Sequence, residues 1–250
     1  MTTSTDPRLE LAAVRLRYSS RAAYDESDCW HRFTSDQVQH RLREVWARFP
    51  DAARGVILNA GSGGNDLGMG SANTINLDIS SIGISRQPNP VIANVESIPL
   101  ANSTINTVVC VGSVINYCDA AATISEFARV LHKDGYLFLE FESSRSAELI
   151  VQPAFGQSAA VAETFCAGRQ EAVWVYSLDY MCNLLRTARF RIVLKTPIHV
   201  LSPWALLLLK HLKVAAAFAR LDPAARCVPL LHRWASNYLL LCRRQDFCTQ

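Results

Sequence analysis

Charge is scarce in this sequence, and what there is nearly balances. Asp, Glu, Lys and Arg make up 19% of the 250 residues, the net charge is +3, and no run of five or more Lys or Arg occurs. Nucleic acids are held through a basic stripe or patch, so no nucleic-acid partner is expected. Signals for metals and disulfides are equally sparse. The eight cysteines include no CxxC pair, and none lies at metal-finger spacing from a histidine. No metal is expected, and Cys110 and Cys242, inside apolar runs, should pack as small hydrophobes. Met1 to Pro7 has no basic segment leading into an apolar core, so no secretory signal is read and a reducing cytoplasm is the expected setting. The greasiest stretch, Trp204 to Leu221, is interrupted by Lys210, His211 and Lys213 and is no membrane span.

What is present is apolar material, half of all residues, arranged around one stretch. Val56-Ile57-Leu58-Asn59 is a short β-branched run that stops at Gly61-Ser62-Gly63-Gly64, and Thr74-Ile75-Asn76-Leu77 is a second run that ends in Asp78. Strand, tight glycine turn, second strand and terminal acid form the start of a nucleotide-binding βαβ unit. Glycine serves where φ is positive or where a ligand must approach the backbone, and Asp78 offers two acceptors to a ribose diol. The dinucleotide fingerprint asks for another glycine where Asp66 stands. Gly64 to Asn73 holds three glycines, so the helix there should be short or broken. A pyrophosphate needs a firm helix N-terminus; a ligand without phosphate does not.

Around this stretch the chain alternates strands and helices. A helical lead-in covers residues 1–50, with one helix near Arg8–Arg17 and another capped at Ser35-Asp36 and stopped by Pro50. Residues 51–250 are expected to form one α/β domain. Its strands fall at 56–59, 74–77, 91–93, 107–111, 136–141, 190–195 and 237–242, with an added strand at 171–176. Asp119 should cap a helix to His132 with Ile124, Phe127, Ala128 and Leu131 on one face and Gly135 as its stop. Ser177 or Asp179 should cap another, residues 82–90 read as loop, and 144–168 reads as irregular. An unusually long helical insert, 196–236, precedes the final strand.

Four motifs in order resemble the class I S-adenosylmethionine-dependent methyltransferases, in the type 11-like branch. Leu58-Asn59-Ala60-Gly61-Ser62-Gly63 looks like the first motif and Asn76-Leu77-Asp78-Ile79 the second. Asn94 to Leu100 with Ser103 to Val108 is similar to the third, and Glu126 to Gly135 resembles the end of the helix before strand five. The resemblance covers about 55–142. It implies a Rossmann-like, doubly wound, seven-stranded, mostly parallel sheet whose last strand is antiparallel. S-adenosylmethionine would be the cofactor and S-adenosylhomocysteine the product. Implied binding residues are Asn59, Ala60, Gly61, Ser62, Gly63, Asp78, Ile79, Asn94, Val95, Gly112 and Ser113. Gly61 and Gly63 would face the methionine part and Asp78 the ribose hydroxyls. Ile79 would pack on adenine, and Asn94-Val95 would meet its edge. The family's frequent acids are Asn here at 59, 94 and 106.

Methyl transfer from a sulfonium depends mainly on holding the acceptor atom in line. Neither the Asn/Asp-Pro-Pro-Tyr element of base-amine methylation nor a Pro-Cys nucleophile occurs. The expected acceptor is therefore a small molecule, with a slight preference for a hydroxyl, lipid- or sugar-linked. Acceptor-side candidates are Asn116 and Tyr117 beyond strand four and Tyr18 and Tyr24 from the lead-in. Glu140 and Glu142 close strand five, and no catalytic base is assigned. Residues 204–221 are candidates for a homodimer contact, a lid, or a helix lying on a membrane surface. Two alternatives stand beside a methyltransferase. One is a non-catalytic module of this fold that binds nucleotide or a partner, favoured by Asn94 and Asn106. The other is a nicotinamide-dependent oxidoreductase, opposed by Asp66 at the third glycine position.

Overall fold

The computed structural model describes residues 11–19, 29–69, 73–166, 169–209, 214, 217–218, 221 and 229–245. Seven strands form the main sheet: β1 (Ile57–Ala60), β2 (Thr74–Asp78), β3 (Pro90–Ile92), β4 (Ile105–Cys110), β5 (Leu131–Glu142), β8 (Phe190–Ile198) and β9 (Asn237–Arg244). Their spatial order is β3-β2-β1-β4-β5-β9-β8. All neighbours are parallel except β9, which runs antiparallel between β5 and β8. This is the doubly wound, mostly parallel sheet with an antiparallel last strand that the motifs implied. β6 (Ala159–Cys166) and β7 (Arg169–Tyr176) make a separate hairpin.

Both sheet faces are apolar because strand residues alternate between them. Val108 and Cys110 of β4, Leu137 and Leu139 of β5 and Leu240 and Cys242 of β9 enter the larger core cluster. There they meet Ile124 and Phe127 of α4 (Ala120–Val130) and Met181 and Leu185 of α5 (Leu178–Thr187). Val109, Phe138, Leu239 and Leu241 point the other way, onto Val38, Leu42 and Val45 of α2 (Cys29–Arg48). α2 thus covers the face that a helix after β1 would otherwise cover. Among the described residues between β1 and β2 there is no helix, where a short or broken one was expected.

Several boundaries differ from the sequence expectation for identifiable reasons. α2 begins at Cys29 rather than at a Ser35 cap; Ser35 lies inside the helix, where its hydroxyl accepts from Gln39 Nε2 at 3.4 Å. Asp119 does cap α4, accepting from Ala121 N at 2.8 Å and Ala122 N at 3.1 Å. That helix stops at Val130, however, and Gly135 does not terminate it. A Cβ there would come within 2.9 Å of the Asn106 carbonyl, so glycine permits β5 to approach β4. Residues 82–90 are not all loop, since α3 (Ser81–Ile84) starts behind a Ser80 cap. β6 lies where irregular chain was expected; its alanine-rich sequence carries little strand signal alone and is held by pairing with β7. In the long insert, β8 extends to Ile198 and α6 (Ser202–Leu209) follows. A short α7 (Pro229–His232) precedes β9; most of 210–228 lies outside the described residues.

Candidate active site

The glycine loop joins β1 to the carboxyl end of β2. Gly61 N and Ser62 N both donate to the Leu77 carbonyl, at 2.8 and 3.1 Å. Gly63 N donates to Asp78 Oδ2 at 2.8 Å, while Ser80 N donates to Asp78 Oδ1 at 2.8 Å. Asp78 is buried to 8% exposure with its two oxygens fixed in direction. Each carboxylate oxygen has a further lone pair for a ligand hydroxyl. Gly61 has φ +74°, and a Cβ on it would strike Val114 Cγ2 at 2.4 Å. Gly63 has φ +53°, but a Cβ there would meet nothing within 4 Å. One glycine admits a neighbouring side chain and the other faces open space. Ser62 Oγ is buried without a hydrogen-bond partner among the described residues. An unspent hydroxyl, an open glycine and an oriented carboxylate at one strand end fit a polar, phosphate-free ligand such as S-adenosylmethionine.

Asn59 has another job than ligand contact. Its Nδ2 donates to the Asn65 carbonyl at 2.8 Å and to Asn76 Oδ1 at 2.9 Å, and Asn76 Nδ2 donates onward to the Pro88 carbonyl at 2.9 Å. This corrects its assignment: the side chain ties the glycine loop to β2. Ala60 is buried and Ile79 half-buried at the same strand ends. Asn94 Oδ1 accepts from Glu96 N at 3.1 Å, closing a turn. The Val95 side chain is in the core. Asn106 is remote, at the opposite end of β4, where its Oδ1 accepts from Val56 N at 2.8 Å.

Gly112 and Ser113 turn sharply at the end of β4, with φ +79° and +60°. Ser113 N donates to Glu140 Oε2 at 2.6 Å, and Asn237 Nδ2 bonds Glu140 Oε1. Burial, the largest influence, pushes the Glu140 carboxyl up. Glu140 therefore holds the loop from below and does not face a pocket. Val114 to Tyr117 then form a 3₁₀ turn whose first residue rests on Gly61. Asn116 is fully buried: its Nδ2 donates to the Trp174 carbonyl and its Oδ1 accepts from Glu142 N at 3.1 Å. It staples the turn to β7 and β5, which corrects its assignment as an acceptor contact.

Tyr117 does sit in a cluster. Its hydroxyl donates to Glu171 Oε2 at 3.0 Å. Its ring meets Tyr18 edge-on at 5.5 Å, and Arg17 lies 5.9 Å from its centroid. Arg17 Nη1 is 3.6 Å from Glu171 Oε2. Burial first, then the neighbouring Tyr18, Glu142 and Glu171, push the Tyr117 phenol well above its ordinary value, so it stays protonated. Tyr18 and Arg17 belong to α1 (Leu11–Ser19), whose Tyr18 carbonyl also accepts from Ser80 Oγ at 3.4 Å. The end of α1 therefore spans from the end of β2 to the turn after β4, across the glycine loop. Glu171 carried no motif and was missed; only its place in an alternating strand, two residues before buried Val173, hinted at an inward carboxylate. Tyr24 lies outside the described residues. No group of three or more metal-ligating side chains occurs among the described residues.

Comparison with known proteins agrees with this geometry. Residues 59–139, from β1 into β5, match the model of a family described as a methyltransferase domain. A candidate S-adenosylmethionine-dependent methyltransferase of Listeria monocytogenes superposes with TM-score 0.61 at 12% identity, over 86% of this chain and 99% of that one. The geranyl diphosphate C-methyltransferase of Streptomyces coelicolor A3(2) gives 0.57 at 13% identity over 98% and 100%. A Mesorhizobium loti S-adenosylmethionine-dependent methyltransferase gives 0.52 at 13% over 81% and 96%. At such identities these structures speak for the fold alone. No curated protein matches the sequence. The matched stretch is a methyltransferase domain, and the fold around it is that of the class I S-adenosylmethionine-dependent methyltransferases.

Proposed function

We propose that this enzyme methylates a hydroxyl group of a small molecule bound between the glycine loop, the Val114–Tyr117 turn, α1 and the β6–β7 hairpin. The observation that carries this is the Tyr117 hydroxyl, one turn from the residue resting on Gly61, donating to the buried carboxylate of Glu171. An oxygen acceptor must shed a proton, and here a carboxylate stands within one hydrogen bond of the acceptor side. When bound, S-adenosylmethionine supplies a methyl group already activated on sulfur. Asp78 would hold the ribose diol, Gly61 to Gly63 the methionine part, and Ile79 and the backbone at Asn94-Val95 the adenine. α1 would cover the reacting atoms from water. Within the lead-in, α1 acts as cap while α2 forms a layer of the domain itself, and the cytoplasm suits its free thiols.

A partner contact is proposed for the insert. Leu207, Leu208 and Leu209 of α6 are exposed, an apolar surface suited to a second copy or a membrane surface. No helix among the described residues is long and apolar enough to cross a membrane. The non-catalytic alternative loses one support, because Asn106 lies away from the site. The oxidoreductase alternative lacks a helix after the glycine loop among the described residues. Calorimetric titration with S-adenosylhomocysteine, then with NAD, tests the cofactor. Micromolar binding of the first alone, weakened about 10- to 100-fold in Asp78→Ala, is expected from the loss of charged hydrogen bonds. Turnover of a hydroxyl panel tests the acceptor.

A further inference from the structure

We propose that Tyr117 and Glu171 form a proton relay that accepts the proton of a phenolic acceptor, a role resting on the hydroxyl reading above. A phenol is already docked there: the ring of Tyr18 stands edge-on to Tyr117 at 5.5 Å, and Tyr18 is among the neighbours that push the Tyr117 phenol up. A phenolic acceptor taking the same place meets the same aromatic edge and the same hydroxyl. Displacing Tyr18 is inexpensive, since Val14 is the only α1 residue in the buried core and a nine-residue helix has little stability of its own.

Glu171 is 4% exposed, on the strand face it shares with Val173 and Val175 of the small hairpin core. A carboxylate in such a place is costly unless it is paired. The groups that face the pair are Arg17 at 3.6 Å, Tyr18 and Glu142. Tyr117 donates its proton to Glu171, so its oxygen keeps lone pairs for an incoming hydroxyl. As the acceptor oxygen forms its bond to the methyl carbon, its proton passes to the Tyr117 oxygen and the Tyr117 proton to Glu171. The carbon–sulfur bond breaks with its electron pair left on sulfur, which becomes a neutral thioether, and the relay, gaining one proton, goes from a single negative charge to neutral. The high affinity of Tyr117 for its proton makes this a concerted handover without a free tyrosinate.

The test uses the full chain and its Glu171→Gln variant with para-cresol, para-nitrophenol and a panel of alkyl alcohols. S-adenosylhomocysteine binding by calorimetry should be equal in both, showing that the fold and cofactor side are intact. In the S-adenosylhomocysteine complex near neutral pH, wild type should bind para-nitrophenol in its neutral form, because the Glu171 carboxylate disfavours a second anion. The phenolate absorption then falls on binding, and it persists with Glu171→Gln. Methylation of para-cresol should drop about 100-fold in the variant, and Tyr117→Phe should match it. Methylation within about threefold of wild type, or identical nitrophenol spectra, would overturn the relay while leaving the hydroxyl function standing. A wild type that binds S-adenosylhomocysteine yet methylates no phenol or alcohol would overturn the hydroxyl function and the relay with it.

Discussion

The two halves of the proposed site are built differently. The cofactor half is made of backbone: Gly61, Ser62, Gly63 and Ser80 N–H groups converge on Leu77 and Asp78, all within a span of twenty residues. The proposed acceptor half is made of side chains from three distant places, Arg17 and Tyr18, Tyr117, and Glu171. A backbone cradle tolerates almost no change at its tight points but accepts varied residues elsewhere. A side-chain cluster can be rebuilt residue by residue, so one fold can keep its donor while exchanging its acceptor.

The sharpest way to break this comparison is at Gly61. Gly61→Val places a branched side chain at φ +74° against Val114, and S-adenosylhomocysteine affinity by calorimetry should fall by at least about 100-fold, given both strain and clash. A milder effect is expected beneath the cofactor half, at Arg129. Its guanidinium bonds Glu126 and the carbonyls of Ile98 and Leu100, so it ties α4 to the segment after β3. Arg129→Met should cost about 1–3 kcal/mol in chemical denaturation. The Arg129 hydrogen bond, ahead of other causes, holds the Glu126 carboxyl below its ordinary value of 4.5. That contribution is present above this value and lost as pH falls through the lowered one. Wild type should therefore lose stability in acid more steeply than Arg129→Met. The smallest effect belongs to the acceptor half: Arg17→Ala removes a 3.6 Å pair to the buried Glu171, which keeps its Tyr117 hydrogen bond, and should cost about 1 kcal/mol. Cofactor affinity should be unchanged while KM for the acceptor moves.

The same contrast explains what could be read from the chain. Strands, order of motifs, the Asp119 cap and the Asp78 acid are encoded locally, by period and by turn chemistry, and they were legible. Asn59 and Asn116 were named for their position, but their amides are consumed by Asn65, Asn76, Trp174 and Glu142. No local pattern says where a buried amide will spend its hydrogen bonds. Glu171 went unnoticed because its meaning arises only when β7 is laid against Tyr117. Strand β6 needed its partner in the same way, since Ala159-Ala160-Val161-Ala162 has no alternation of its own.

The position of β9 has a consequence for how the molecule assembles. It pairs Leu137 with Cys242 and Ile192 with Cys242 on its two edges, so β5 and β8 are never direct neighbours. Until β9 arrives, both strands present open edges, and the segment from β8 to β9 must be made and looped back first. Such long-range closure is slow relative to local pairing and leaves sticky edges in the meantime. The β1–β4 half carrying the glycine loop can be complete while the molecule is still waiting for its final strand. β9 is the strand through which β8 is joined to the rest of the sheet.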